Sequence, residues 1–402
     1  MNFNLSEEQT MIQDSVARFV QDNYAFDQRN ATVALQHGFS AEHWQQFAEL
    51  GWLSIPFTEE YGGFGGGPVD TMVIMREFGR GLVAEPFLPT VLLFGGLLQA
   101  GASEEMKNEL IPQIVAGGLQ GAFAFAERQS RYAITDIKTR ARQDGVSWVL
   151  NGEKTVVLNG GAAQKLVVLA RSSGEQSDEN GLSLFLVDAF SEGVTTTSYR
   201  MTDGREAANI VLENVTAEAV IGGPGEGYAL MGPVLDSAML AVAADALGAM
   251  ESLNAQTLEY LKTRKQFGTH IGSFQALQHR MVDMFAACEN TKSLLYRAVC
   301  ALDAADEDAQ RSLLALKVMV GRAGRKIGGE GIQMHGGMGM TEELSVGSYV
   351  KRLMIANTLF GDADYQQQRF SALVNAAADQ PAGDQGAGYL QNPQANLVRS
   401  HG

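Results

Sequence analysis

The chain has 402 residues, of which 45% are hydrophobic, a share typical of soluble globular proteins with two or three domains. Its formal net charge is −16, and its pI is about 4.8. Because a nucleic-acid-binding protein needs a basic face for the phosphates, this charge argues against that class.

Residue usage bears on metal binding and on location. Both cysteines, Cys288 and Cys300, fall in one helical stretch, and we expect reduced thiols. The six histidines are scattered without ligand spacing, so we expect no metal site. Residues 1–9 lack an apolar signal core, and no stretch of about 18 apolar residues is apparent. These features predict a cytoplasmic protein without membrane insertion.

The first third of the chain has helical patterns. Ser6 and Gln9 have the spacing of a capping box, and apolar residues at helical spacing follow. A second helix is predicted from Ala41 to Leu50, ended by Gly51. The glycine-dense run 62–68 follows no strand and lacks a Lys-Ser/Thr pair, so it predicts a connector rather than a P-loop. Helical patterns resume over residues 70–81 and 90–118.

The pattern becomes β-like near Gly121. Residues 146–150 and 154–158 flank Asn151-Gly152, a dipeptide typical of type I′ hairpin turns. Further short strands are predicted at residues 165–170, 182–187, 194–199 and 209–213. Their number and spacing indicate a small barrel or sandwich.

Long helical patterns return from Gly227. The third of these helices, residues 309–333, contains Gly321, Gly324 and Gly328, which are costly inside a helix and therefore indicate close helix packing. The fold class predicted is α+β. Its predicted parts are an N-terminal helical domain (1–119), a middle β domain (120–222), a C-terminal domain of long helices (223–378) and a loose polar tail (379–402).

Two motifs carry a family resemblance. Residues 263–268 read Thr-Arg-Lys-Gln-Phe-Gly and are followed by Ile-Gly-Ser-Phe-Gln at 271–275. Residues 333–342 read Gln-Met-His-Gly-Gly-Met-Gly-Met-Thr-Glu. In this order the motifs resemble the two C-terminal signatures of acyl-CoA dehydrogenases. The resemblance implies that the middle domain (120–222) is a β-barrel and that the C-terminal domain (223–378) is a four-helix bundle. Through residues 127–132 and 360–364 the resemblance extends to the small subunits of pimeloyl-CoA dehydrogenases.

The resemblance implies an FAD site and identifies its residues. Glycines allow the backbone to approach a pyrophosphate closely, and an arginine grips phosphate with a planar fork of donors. By resemblance, these groups bind the ADP half of a flavin held mainly by a neighbouring subunit. The alternative is that Arg264 only ends a helix favourably and that the glycines only serve packing. The implied FAD-binding residues are Arg264, Gln266, Phe267, Phe274, Gln275, Gln333, Gly336 and Gly337.

The residues that would carry the chemistry depart from the family pattern. The resemblance implies α,β-dehydrogenation of an acyl-CoA thioester, in which a glutamate removes the α-proton. Gly361 takes the usual position of that base, and the second family position falls at about Ala238. Asp245 is a candidate substitute because it lies two turns beyond Ala238 in an apolar run, although a structural role is the alternative. Asp362 is a weaker candidate.

The middle domain also lacks motifs that the family uses to hold the flavin. The family's Thr-Glu-Pro run, which holds flavin and acyl-CoA, is replaced here by residues 126–132. Its Trp-Ile-Thr run, which packs on the isoalloxazine ring, reads Val156-Val157-Leu158. A heteromer would explain this pattern, because a sister subunit could hold the flavin ring and supply the glutamate.

Three interpretations stay open at this stage. The first is a subunit of a heteromeric acyl-CoA dehydrogenase that shares an FAD site. The second is a self-sufficient homo-oligomer with an unusual base such as Asp245. The third is a flavin oxidase or a structural subunit. The partners implied are an acyl-CoA substrate, an electron-transfer flavoprotein as acceptor and a sister acyl-CoA dehydrogenase subunit.

Overall fold

The computed structural model describes residues 4–378, so the predicted polar tail lies outside the described part. Helices come first, a sheet follows, and long helices end the described chain, which confirms the predicted α+β fold. The N-terminal helices are α1 (Glu7–Asn23), α2 (Phe26–Ala34), α3 (Ala41–Glu49), α4 (Pro68–Gly81), α5 (Gly96–Gly101) and α6 (Glu104–Val115). The C-terminal helices are α7 (Gly227–Thr263), α8 (Gln275–Asp303), α9 (Ala309–His335), α10 (Val346–Thr358) and α11 (Ala363–Ala378).

Local sequence signals set the ends of the first helices. The Ser6 hydroxyl accepts from the Gln9 amide at 3.1 Å, and the Gln9 side chain accepts from the Ser6 amide at 3.0 Å. This is the predicted capping box, and it satisfies two amides that the first turn of α1 leaves free. Helix α3 ends at Glu49, and Gly51, two residues later, has a φ of 77°, a conformation that favours glycine.

The sheet has eight strands in the order β6-β7-β3-β2-β4-β5-β8, with β1 paired to β4. All neighbours are antiparallel except β1 with β4 and β2 with β4. Its apolar core is formed by residues from β1 to β8, including Leu150, Val168, Phe185 and Ile210. The strands are β1 (Gly121–Ala124), β2 (Arg140–Asp144), β3 (Ser147–Leu158), β4 (Lys165–Arg171), β5 (Leu182–Asp188), β6 (Val194–Arg200), β7 (Glu206–Thr216) and β8 (Ala219–Ile221).

The hairpin predicted at Asn151-Gly152 is wrong. Strand β3 runs through this dipeptide, and the turn lies earlier, at Gly145-Val146, where Gly145 has a φ of 62°. Gly152 instead lies against Thr139, and a Cβ at this glycine would come within 2.4 Å of the Thr139 hydroxyl oxygen. Because β3 pairs with β2 on one side and β7 on the other, its pairing overrides the local turn preference.

The described residues form two compact units. One comprises residues 4–30, 68–83 and 239–378, and the other comprises residues 31–67 and 84–238. Within the first unit, glycines let helices cross closely. A Cβ at Gly79 of α4 would come within 1.8 Å of the Asp245 carbonyl oxygen, and one at Gly248 within 1.9 Å of the Arg76 carbonyl oxygen.

The glycines of α9 also serve helix packing, as predicted. A Cβ at Gly321 would come within 2.1 Å of the Asn357 side-chain oxygen, and one at Gly328 within 3.3 Å of Val350. At Gly324 the contact with Leu353 would be an ordinary 3.5 Å. The cost of glycine inside α9 is therefore offset by close approach to α10.

Helix α7 corrects the expectation that no stretch could span a membrane. Its most apolar window has a mean hydropathy of 1.5, and by length and composition the helix could cross a bilayer. However, 83% of that window is buried inside the protein. Such burial is typical of the core helix of a globular protein.

Candidate functional site

The first signature folds into an exposed segment between α7 and α8, which we name the hairpin segment (residues 264–275). Two short strands, β9 (Lys265–Gln266) and β10 (Thr269–His270), form a hairpin with Phe267-Gly268 at its turn. Phe267 has a φ of 53° and is 91% exposed, so it adopts a left-handed conformation without burying its ring. The Arg264 carbonyl accepts from the Ile271 amide at 2.9 Å and closes the segment.

The second signature forms what we name the glycine segment (residues 333–337), at the C-terminal end of α9. Gly336 has a φ of 60° and a ψ of −139°, a backbone conformation restricted almost entirely to glycine. Gly337 is exposed, and no atom of the described chain lies within 4 Å of a Cβ built on either glycine. Packing within residues 4–378 therefore does not explain Gly337.

The structure brings the two segments together. Lys326 of α9 bridges to Asp283 of α8 at 3.1 Å, and Arg280 of α8 bridges to Glu330 of α9. These pairs run in opposite directions along the two helices, so the start of α8 lies beside the end of α9. Phe274 and Gln275, at the start of α8, are exposed at this end, as is Gln333.

A ring contact that the sequence did not predict links the glycine segment to the end of α7, just before the hairpin segment. The Tyr260 ring lies 4.4 Å from the His335 imidazole, centroid to centroid, with an angle of 30° between the planes. Tyr260 is one helical turn before Arg264, and His335 immediately precedes Gly336. The helical spacing of Tyr260 from Arg264 was visible in the sequence, but its pairing with His335 was not.

This end of the helices fits the ADP half of a flavin dinucleotide. The Arg264 side chain is exposed, and its guanidinium has no hydrogen bond or ion pair within residues 4–378. Gly336 and Gly337 leave their backbone open to close approach by a ligand. Gln266, Gln275 and Gln333 are exposed amides that can bond ribose, adenine or phosphate oxygens. Phe267 and Phe274 add apolar surface, with ring centroids 6.3 Å apart.

The space beside Gly361, where the resemblance predicts the base, is occupied. This glycine has a φ of 99°, and a Cβ there would come within 2.5 Å of the Gln366 side-chain nitrogen and 2.6 Å of the Tyr365 ring. Gln366 is fully buried, and its amide donates to the Phe360 carbonyl. A glutamate at 361 would therefore meet both backbone strain and an occupied space.

Lys317 of α9 contacts the backbone on both sides of the α10 end, including Gly361. Its fully buried ammonium donates to the carbonyls of Ala356, Asn357 and Gly361 at 2.9, 2.7 and 2.8 Å. Burial lowers the pKa of Lys317 to about 7, although the Asp362 carboxylate raises it. The Asp362 carboxylate accepts from the Tyr365 amide at 2.9 Å and so caps the start of α11.

Two carboxylates on α7 are buried. Asp245 is buried and lies 3.6 Å from the Arg352 guanidinium, which is itself buried and donates to the Val83 carbonyl at 2.5 Å. Ala238, at the second base position, is fully buried. Asp236, which sequence reasoning did not single out, is buried two residues earlier, about 200° round the helix from Ala238.

In the second unit, the segment that replaces the family's Thr-Glu-Pro run is built around Glu127. Its carboxylate accepts from Lys154 at 2.7 Å, from the Thr139 hydroxyl at 2.6 Å and from the Lys138 amide at 2.7 Å. Burial alone would raise the pKa of Glu127, but Lys154 and these hydrogen bonds outweigh it and lower the pKa to about 2. Burial lowers the pKa of Lys154 to about 8 despite the Glu127 charge.

The residues in place of the Trp-Ile-Thr run lack a ring and a hydroxyl. Val156 has a φ of 53°, which is rare for a β-branched residue, and its side chain is 42% exposed. The pairing of β3 with β7 shifts register between Lys154 and Val157, so Val156 lies in a bulge. Val157 is buried, and none of the three side chains can stack on a flavin ring or bond near its nitrogen atoms.

Family models match three consecutive stretches of the chain. The N-terminal domain of acyl-CoA dehydrogenase matches residues 6–118, its middle domain residues 122–215, and its C-terminal domain residues 225–372. The chain belongs to the acyl-CoA dehydrogenase family.

Relatives within this family match over most of their length. The probable acyl-CoA dehydrogenase YngJ of Bacillus subtilis is 29% identical over 354 residues, which covers 86% of this chain and 92% of the relative. The probable acyl-CoA dehydrogenase FadE25 of Mycobacterium tuberculosis is 27% identical over 372 residues, which covers 91% of this chain and 95% of the relative.

Solved structures share the fold. The Tcur3481-Tcur3483 steroid ACAD G363A variant is 27% identical with a TM-score of 0.84, covering 93% of this chain and 99% of that chain. A structure titled electron transferring flavoprotein of Acidaminococcus fermentans is 26% identical with a TM-score of 0.86, covering 93% and 99%. The FAD complex of PigA is 25% identical with a TM-score of 0.87, covering 94% and 100%.

Proposed function

We propose that this acyl-CoA dehydrogenase family member is one subunit of a heteromeric enzyme and contributes the ADP-binding end of a shared FAD site. The sister subunit would hold the isoalloxazine ring and supply the catalytic glutamate. The reaction is α,β-dehydrogenation of an acyl-CoA thioester. The contrast between an open ADP-binding end and a closed base position carries this proposal.

The ADP-binding end supports the proposal because its groups are exposed and complementary to a pyrophosphate. An arginine without a protein partner in the described chain and an open pair of glycines lie at one end of the helices. A charge-assisted, bidentate contact to phosphate is among the strongest that a protein side chain makes. These residues would bind and orient FAD, which supplies the hydride acceptor when bound.

The closed base position supports the part of the proposal that concerns catalysis. At Gly361 the backbone has a positive φ, and Gln366 fills the space that a longer side chain would need. Asp362 caps α11, and Asp245 pairs with Arg352. Both carboxylates that the sequence offered in place of the glutamate therefore have structural contacts, which argues against the homo-oligomer with Asp245 as its base.

Comparison with solved relatives supports a two-chain assembly and an external electron acceptor. One relative above 25% identity is named as a Tcur3481-Tcur3483 steroid ACAD, a name with two components. Another is titled after an electron transferring flavoprotein. We propose such a flavoprotein as the acceptor, and we keep the similarity of residues 127–132 and 360–364 to pimeloyl-CoA dehydrogenase small subunits as a guide to the partner.

Flavin stoichiometry tests the proposal. The chain purified alone should contain much less than one FAD per chain, because Val156, Val157 and Leu158 cannot support the ring. Co-expression with a sister subunit that retains the Trp-Ile-Thr run and the base glutamate should yield a stable complex with tightly bound FAD and acyl-CoA turnover. One tightly bound FAD per chain in the isolated protein would contradict the shared site.

A further inference from the structure

The stacked pair Tyr260 and His335 links the two segments that would bind ADP. The Tyr260 carbonyl accepts from the Arg264 amide at 2.8 Å, and the Tyr260 hydroxyl donates to the His335 carbonyl at 3.4 Å. His335 is followed in the chain by Gly336. The His335 ring therefore belongs to the glycine segment, and the Tyr260 ring lies on α7 one turn before the hairpin segment, although the two residues are 75 positions apart.

The His335 ring is held firmly. It is 5% exposed, and its Nδ1 lies 2.8 Å from the Gly331 carbonyl oxygen, so this nitrogen carries the proton and donates. A Cβ at Gly331 would contact Leu253 at 3.1 Å, which places that turn of α9 close against α7. The imidazole is therefore held by a hydrogen bond within α9 and by its contact with the Tyr260 ring.

The Gly336–Gly337 backbone continues directly from this ring. Gly336 has a φ of 60° and a ψ of −139°, its amide donates to the Gln333 carbonyl, and a short 3-10 helix (Gly336–Met340) begins there. The buried side chain nearest to Gly336 in the chain is His335. Tyr260 lies one helical turn before Arg264.

We infer that Tyr260 and His335 are positioning residues, which set the spacing between the Arg264 guanidinium and the Gly336–Gly337 backbone and so preorganise the ADP-binding end. This inference rests on the proposed function. It identifies the adenosine diphosphate moiety, without the flavin ring, as the ligand that this chain recognises by itself. Preorganisation increases affinity because the ligand does not have to order the groups that bind it.

The test measures ADP binding to the full chain by saturation-transfer NMR, with FMN as a competitor that lacks the adenosine phosphate half. Tyr260→Leu removes the stack, whereas Tyr260→Phe keeps the ring and loses only the hydroxyl. Tyr296→Leu is the matched control, because Tyr296 is a partly buried tyrosine of α8 about 31 Å along the helix from Gln275. If Tyr260→Leu lowers the thermal unfolding midpoint more than Tyr296→Leu does, Tyr260→Met is used in its place. The flexible methionine side chain fills gaps in the packing.

We expect Tyr260→Leu to weaken ADP binding about tenfold, because two segments must then be ordered on binding. Tyr260→Phe and Tyr296→Leu should stay within about threefold of the wild type, and FMN should not displace ADP. Because Tyr260 would act through Arg264, Tyr260→Leu should reduce the affinity for ADP much less in the Arg264→Ala protein than in the wild type. A merely structural residue would show no such dependence.

Two kinds of failure can be told apart. If Arg264→Ala weakens ADP binding but Tyr260→Leu does so no more than Tyr296→Leu, or if the two effects are simply additive, the positioning role is wrong and the proposed function stands. If the wild-type chain does not bind ADP, if FMN displaces it, or if Arg264→Ala has no effect, the ADP-binding end itself is wrong.

Discussion

The guanidinium of Arg264 is exposed and has no protein partner within residues 4–378, so its removal should cost the fold little. Arg264→Ala should lower the free energy of unfolding by about 0.3–1 kcal/mol, the contribution of a cation at a helix end. FAD affinity should fall roughly 10- to 150-fold, because a charge-assisted contact to phosphate contributes about 1.5–3 kcal/mol. Flavin fluorescence titration and thermal unfolding measure the two effects.

Arg264→Lys is the matched control for this variant. It retains the charge but loses the planar fork, so its FAD affinity should lie between those of the wild type and Arg264→Ala. Equal FAD retention in all three proteins would mean that Arg264 serves only the helix end.

Gly361 and Gly337 allow a paired test, because packing requires glycine at 361, whereas ligand binding would require it at 337. Gly361→Ala should destabilise the protein by about 1–3 kcal/mol, since Gly361 has a φ of 99° and its Cβ would collide with Gln366. Gly337→Ala should leave stability unchanged, because its Cβ would meet no atom of the described chain, but it should weaken FAD binding. Urea unfolding and flavin titration of both variants check this. A destabilised Gly337→Ala protein with normal FAD affinity would contradict the ligand role.

Asp245 is buried beside Arg352, and we expect a structural role. Asp245→Asn should lower the free energy of unfolding by about 3–5 kcal/mol, because it leaves a buried guanidinium without its carboxylate. Asp245→Leu combined with Arg352→Met removes both charges and should recover part of that loss. Acyl-CoA turnover per folded heteromer should stay within a few-fold of the wild type. Lost turnover with unchanged stability and FAD content would make Asp245 the base.

At the scale of the element, the Glu127–Lys154 pair fixes the segment that precedes β2. Lys154 comes from β3, while Lys138 and Thr139 come from the end of the segment, and all three donate to one carboxylate. The segment is therefore tied to the sheet even though its family motif has changed. Its rigidity depends on the charge of Glu127.

This dependence predicts a sensitivity to acid. The pKa of Glu127 is about 2 in the folded chain against 4.5 ordinarily, so its contribution to stability is complete above pH 4.5 and is lost as the pH falls towards 2. Urea unfolding of the wild type should show stability falling over this window. In Glu127→Gln the fall should be shallower, and stability at pH 7 should be lower by about 3–5 kcal/mol.

Lys154→Met combined with Glu127→Gln serves as the control for the pH experiment. It removes the ammonium that would otherwise remain buried without a carboxylate partner, so part of the stability at pH 7 should return. An equally steep acid limb in Glu127→Gln would show that other carboxylates cause it.

At the scale of the whole molecule, the proposed shared site makes a prediction about two chains. In the heteromer, Arg264→Ala on this chain should release flavin that is held chiefly by the sister subunit. Ultrafiltration of the complex, followed by absorbance of the free FAD, measures that release. Retention of all the FAD would show that each chain binds its flavin independently. The domain boundaries 1–119, 120–222 and 223–378 remain our proposal.

The sequence by itself determined the helix–sheet–helix order, the capping box at Ser6 and the two C-terminal signatures, because these depend on short-range periodicity and on residue types at fixed spacing. It could not place the turn of the β2–β3 hairpin, since pairing of β3 on both sides overrode the preference of Asn151-Gly152. Only the tertiary structure brought Tyr260 against His335, put Gln366 into the space beside Gly361 and paired Asp245 with Arg352. The Tyr260–His335 and Asp245–Arg352 contacts join residues far apart in the chain, and all three contacts depend on how α7, α9, α10 and α11 pack, which no local pattern encodes.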